Sequence, residues 1–164
     1  MEDAHTTLLS VNEDDPTDLE QKDKKMAFFA VFDGHGGANV ARYCGEHLHH
    51  KIIATHFFKA KDYKAALKHG FLTADEDLRN DPEYAKEVSG CTAVTCFILE
   101  DSIYVGNAGD SRIIISSNGE AIPLSFDHKP GNPEEIQRIT AAGGYVEFGR
   151  VNGTSRLNNN RVKY

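Results

Sequence analysis

Three groups of acidic and imidazole side chains carry the chemistry this sequence can offer. The first is Asp33-Gly34-His35-Gly36-Gly37, which follows an apolar run. A carboxylate at the end of a buried strand is held on a rigid element and suits a hard divalent cation, which prefers oxygen ligands. Gly34 can offer its carbonyl as a further oxygen donor, because no side chain crowds it. His35 can exchange a proton near neutral pH. The second group is Glu2-Asp3, and the third is Asp110 within Gly106-Asn107-Ala108-Gly109-Asp110-Ser111-Arg112. Glu2 and Asp3 complete a carboxylate cage only if their strand pairs beside the one ending at Asp33. Each group has a plainer alternative: a tight turn with an incidental histidine, solvated surface charge, and a turn aspartate capping its own backbone.

The elements that must position these groups follow from apolar patterning. Residues 6–11 (TTLLSV) and 26–32 (MAFFAVF) read as strands, the second so continuously apolar that burial on both faces is expected. The polar stretch 12–25 between them reads as an exposed connection. Val40, Cys44, Leu48 and Ile52 recur every four residues and predict a helix over about 38–57. Tyr63, Leu67, Phe71, Ala74 and Leu78 predict another over about 62–78, weakened by Gly70 inside it. Strands are expected at 91–99, 103–105, 112–116, 121–124 and 145–148, with 106–110 as a turn and Asn118-Gly119 as a hairpin turn. Asn132-Pro133-Glu134-Glu135 has the form of a helix start, and Gly143-Gly144 of its stop.

Composition narrows the partners. The 164 residues include 18 Lys plus Arg against 25 Asp plus Glu, a net charge of −7. That balance argues against non-specific nucleic-acid binding, which needs a basic face. No run reaches the roughly 18 apolar residues of a membrane span. The N-terminus lacks the basic region of a signal peptide. Cys44, Cys91 and Cys96 have no close CxxC spacing, so reduced core thiols in an intracellular protein, cytoplasmic or nuclear, are expected. His47, His49 and His50 lack zinc-site spacing and read as a partly exposed helix face.

Taken together, the motifs resemble the metal-dependent protein serine/threonine phosphatases of type 2C. The matching stretches occur in family order: Met1-Glu2-Asp3, Phe29 through Gly37, Ser89-Gly90-Cys91-Thr92-Ala93, Gly106 through Arg112, Asp127-His128-Lys129-Pro130, and Arg150-Val151-Asn152-Gly153. The resemblance implies an α+β fold, part of a four-layer α-β-β-α sandwich with two packed antiparallel sheets and flanking helices. It implies two Mn²⁺ or Mg²⁺ ions holding a water that attacks phosphorus in line, with no phosphoenzyme. Carried over, Asp33 bridges the metals, Gly34 gives its carbonyl, and Glu2 and Asp3 bind metal directly or through water. His35 protonates the departing Ser or Thr oxygen, and Asp110 serves a further, weaker metal position. The implied partner is a phosphorylated protein, with no nucleic acid or membrane involved, and the protein is expected to be a monomer.

The family pattern also includes an Arg before the Met-Glu-Asp, which grips the substrate phosphate. It further includes a flap, more strands and two later metal-binding Asp residues, none of which match these 164 residues. The expectation is therefore a partial catalytic domain over 1–153, with a divergent, flexible tail at 154–164. Too few carboxylates remain to hold two dications tightly, and an apolar sheet face would lie uncovered. Weak or absent activity of the chain alone is expected. The alternatives are a non-catalytic remnant that binds a partner or phosphoprotein, and a truncated gene model.

Overall fold

The apolar run at 27–32 forms strand β2 (Ala27–Phe32), and the fold is built outward from it. The structure is a computed structural model that describes residues 1–11, 26–84 and 86–152. The expected connection at 12–25, the tail at 154–164 and Gly153 lie outside the described residues. Strand β1 (Ala4–Leu8) pairs antiparallel with β2, from Ala4 opposite Phe32 to Leu8 opposite Phe28. The tiny strands β3 (Gly34–His35) and β4 (Gly90–Cys91) pair with each other. On the other flank of β2 lies β5 (Ala93–Ile98), followed by β6 (Ile103–Ala108). Among the described residues these make one antiparallel sheet of order β1-β2-β5-β6.

Helices cover one face of that sheet. Helix α1 spans Asn39–Ile53, and its stripe of Val40, Cys44, Leu48 and Ile52 is buried. The expected helix over 38–57 is interrupted, because Thr55 turns extended and starts a short helix α2 (His56–Lys59). The Thr55 hydroxyl accepts from the Phe58 N–H at 3.1 Å and donates to the Ile52 carbonyl at 2.8 Å, so one side chain ends one helix and caps the next. Helix α3 (Tyr63–Asn80) is capped by Asp62, whose carboxylate accepts from Ala65 N–H. The Gly70 that weakened the helix pattern is a packing residue: a Cβ there would stand 2.4 Å from Ile52 Cγ1. Its bareness lets α3 press against α1.

Alternation decides which side chains enter the core. Phe28, Phe32 and Phe97 are fully buried beneath Leu48, Ile52 and Phe71. Phe28 and Phe97 face each other across the β2–β5 ladder with ring centroids 4.7 Å apart. The opposite face is open, so β2 is not buried on both faces as its composition suggested: Val31 is 51% exposed. Strand β1 begins and ends earlier than its apolar pattern suggested, because its register on β2 sets its limits. Strand β6 runs on through Gly106, Asn107 and Ala108, which read as a turn, because Thr95, Val94 and Ala93 supply the ladder.

The remaining elements are small. Strands β7 (Ile114–Ser117) and β8 (Glu120–Pro123) form an exposed hairpin around Asn118-Gly119. Helix α4 (Pro133–Ala141) starts at Asn132, but the Asn132 side chain donates to the Asp127 carbonyl at 2.8 Å instead of capping the helix. Strands β9 (Tyr145–Glu147) and β10 (Arg150–Asn152) close a second hairpin. The fold is α+β, with antiparallel sheets and helices packed together. His49, expected on a partly exposed face, is buried, with its ring tilted against that of His50 at 3.9 Å between centroids, whereas His47 and His50 are exposed. No helix of the described residues is long and apolar enough to cross a membrane.

Candidate active site

The sheet register gathers the acidic residues at one end. With Ala4 opposite Phe32, the next residues along both strands bring Asp3 to Asp33 and Glu2 to Gly34. Steric contact confirms this continuation: a Cβ on Gly34 would lie 2.1 Å from the Glu2 carbonyl oxygen. Only glycine lets the two backbones approach this closely. Helix α1 fixes β1 from behind, where the Thr6 hydroxyl donates to the Gly45 carbonyl at 2.6 Å. Glu2, Asp3, Asp33 and His35 are all exposed, so their polar atoms face solvent beyond the sheet end.

His35 rests on Gly90. The two residues pair between β3 and β4, and a Cβ on Gly90 would stand 2.7 Å from His35 Nε2. Any larger residue would push the imidazole off this seat. Asp33 is held from the next position of the same segment: Thr92 N–H donates to the Asp33 carbonyl at 2.9 Å, and Asp33 N–H donates to Thr92 Oγ1 at 3.3 Å. Thr92 Oγ1 also lies 2.6 Å from Ser111 Oγ. One threonine thus ties the backbone of Asp33 to the loop that carries Asp110.

Asp110 lies at the same sheet end, on the loop that follows β6, two strands from β2. The neighbouring Arg112 makes a bidentate pair with Asp127, Nε to Oδ1 at 2.8 Å and Nη2 to Oδ2 at 2.9 Å, and Lys129 reaches Asp127 at 3.2 Å. The Arg112 guanidinium holds the Asp127 carboxyl below the ordinary carboxylate range, with Lys129 adding to it. Asp127 is thereby spent on anchoring the 125–132 segment. Near His35, Glu87 accepts from Asn39 Nδ2 at 2.7 Å and from Ser89 N–H at 3.0 Å, which lowers its carboxyl in the same way.

These donors suit a hard cation in kind. Glu2, Asp3 and Asp33 offer carboxylate oxygens and Gly34 a carbonyl. The tight seat of Gly34 on Glu2 is the observation that makes the set local. Among the described residues, no three His, Cys, Asp or Glu side chains close around one point. Gly90 and Thr92 lie in the stretch Ser89 through Ala93 and Ser111 in Gly106 through Arg112, both singled out in the sequence, but their positioning contacts could not be read there.

The protein phosphatase 2C family model matches residues 1–161. The chain belongs to the protein phosphatase 2C family. It is 53% identical over 157 residues to a probable protein phosphatase 2C of Caenorhabditis elegans, covering 96% of this chain and 42% of that one. It is 50% identical to protein phosphatase 2C homolog 2 of Hypocrea jecorina, covering 96% of this chain and 36% of that one. Among solved structures, a sex determining protein of C. elegans superposes with a TM-score of 0.72 at 26% identity, over 96% of this chain and 39% of its own. A serine-threonine phosphatase 2C of Toxoplasma gondii shares the fold, with a TM-score of 0.66 at 23% identity, over 96% of this chain and 58% of its own. The chain therefore spans about two-fifths of the length of those two phosphatase 2C relatives.

Proposed function

We propose that this chain carries the acid-rich half-site of a metal-dependent protein serine/threonine phosphatase. The observation that supports the reading best is the register that sets Glu2 and Asp3 beside Asp33 and Gly34, next to His35 on its Gly90 seat. Glu2, Asp3, Asp33 and the Gly34 carbonyl would hold Mn²⁺ or Mg²⁺, with Asp110 at a further, weaker position. Bound there, such an ion lowers the pKa of water and neutralises charge on phosphoryl oxygens.

The chain's own residues do the rest. The carboxylates orient a water for in-line attack on phosphorus. As the new P–O bond forms, the bond to the serine or threonine oxygen breaks, and His35 gives that oxygen its proton. The phosphorylated protein is the substrate in this reading, and the chain acts as a monomer. Its free cysteines support an intracellular setting, cytoplasm or nucleus.

The test is release of phosphate from a phosphothreonine peptide with Mn²⁺, alongside calorimetry of Mn²⁺ binding. Turnover is expected to be weaker than that of a full-length relative and to vanish in Asp33→Asn, which keeps the shape but loses the charge. Unchanged turnover in Asp33→Asn would sink the assignment. Phosphopeptide binding without turnover would mark a binding module instead.

A further inference from the structure

The helix side of the sheet ends in a groove at strand β6. Among the described residues β6 is the last strand of the four-stranded sheet, so its outer backbone N–H and C=O groups meet no further strand. Such an edge is a template for an added strand. Helix α3 runs beside it in the same sense: the Tyr63 ring meets the Tyr104 ring at 5.1 Å between centroids, and a Cβ on Gly106 would stand 3.1 Å from Phe71 Cε2. Between helix and strand lies a groove of about 390 Å³, floored by Leu67, Phe71 and Tyr104. The Asn107 amide donates to the Phe126 carbonyl at 2.8 Å, which seats Phe126 and His128 as an end wall. Phe126 is 77% exposed and Ile103, at the other end of the strand, 43%.

Charge singles out the occupant. Lys64 and Lys68 line the groove from α3, and both are exposed. They stand one helical turn apart on a chain whose net charge is −7. On the open face of the sheet, by contrast, the cation beside the groove is Arg112, already held by Asp127.

We propose that this groove takes an extended segment of a partner protein, added to β6 as a further strand, with one large apolar side chain in the groove and carboxylates on Lys64 and Lys68. The spacings agree. Four residues of helix rise about 6 Å, and alternate residues of a strand, which share a face, stand about 7 Å apart. Carboxylates at two alternate positions therefore meet both lysines, and the apolar residue at the next alternate position enters beside Phe126. Glu100 and Asp101, in the turn before β6, repel any longer acidic run. Main-chain bonds to β6 supply affinity, and the alternate side chains supply selectivity.

The experiment is fluorescence polarisation of a short fluorescein-labelled peptide titrated with the whole chain. The peptide carries Glu, Asp and Phe at successive alternate positions, with Thr between them, and is made in both orders. Saturable micromolar binding of one order is expected. Lys64→Gln together with Lys68→Gln, both at exposed helix positions, should weaken it about tenfold, roughly 1.4 kcal/mol. A peptide with Lys in place of its acids should not bind. N-methylation of the alternate peptide nitrogens that face β6 should abolish binding, and N-methylation of the others should spare it. Amide resonances of Ile103 through Gly106 should shift on binding. No binding in either order would overturn the proposal. So would equal binding of the lysine peptide, indifference to the paired lysine substitution, equal tolerance of both N-methyl patterns, or shifts confined to Phe29 and Val31 on the open face. These readouts decide the groove whether or not the chain hydrolyses phosphopeptide.

Discussion

The two faces of the four-stranded sheet obey different rules, although the same strands make both. On the helix side, Phe28, Phe32 and Phe97 have no exposed surface, and α1 and α3 interlock above them. On the other side, Val31 is half-exposed, and a groove of about 370 Å³ runs between Phe29, Val31, Cys96 and the Arg112–Ile113 segment. The apolar residues of the β7–β8 hairpin, Ile114, Ile115 and Ile122, are exposed as well. Residue type therefore does not set energetic weight here. A phenylalanine under α1 holds the fold, whereas a valine one step along the same ladder faces solvent.

The most direct way to break this contrast is a matched pair of truncations read by urea unfolding. Phe97 packs on Phe28 and, at 5.6 Å between centroids, on Phe58. Phe97→Ala should cost about 3–5 kcal/mol, because the surrounding rings cannot collapse into the space. Val31→Ala should stay within about 0.5 kcal/mol, as for surface substitutions generally. Comparable losses in the two variants would mean that the open face is packed in solution.

A second test sharpens the account of the helix side. In an isolated helix, alanine is favoured over glycine by about 1 kcal/mol. At position 70 the new Cβ would stand 2.4 Å from Ile52 Cγ1 and 2.9 Å from its Cα, and the Cα cannot yield without moving α1. Gly70→Ala should therefore destabilise the chain by about 1–3 kcal/mol, the usual penalty of overpacking. Adding Ile52→Ala should recover part of that loss, a coupling that a double-mutant cycle in urea reads directly. Strict additivity would show that the helices do not meet there.

These same residues show how far the sequence could be read. The stripes of α1 and α3 and the apolar runs of β2 and β5 were legible, because periodicity is local. Gly70 read as a flaw, because its reason is Ile52, eighteen positions away on another helix. The extension of β6 through Gly106 and Asn107 was invisible, since only the pairing with Thr95 and Val94 makes those small residues a strand. At the acidic end, Asp33 and His35 stood out by type. What binds them into one arrangement did not: the β1–β2 register, Gly90 under the imidazole, and the Thr92–Ser111 link all depend on contacts between distant segments.

The smallest effect concerns what ties the open-face segment to the sheet end. Arg112 and Asp127 form a fork-to-fork pair, supported by Lys129, and hold the segment after β8 against the loop after β6. Because Arg112 donates to both oxygens, the folded Asp127 carboxyl titrates below its unfolded value. A depressed carboxyl contributes stability that is present above the unfolded pKa and is lost as pH falls through the folded one. The Asp127 carboxyl carbon, followed by NMR, should therefore titrate below the ordinary carboxylate range and move back toward it in Arg112→Gln. The accompanying loss of global stability should be small, since Arg112 is largely exposed and water screens the pair. If Asp127 titrates at the same pH in both chains, the guanidinium is not what holds it. The anchor of the open-face segment would then have to be sought in the Asn132 amide on the Asp127 carbonyl.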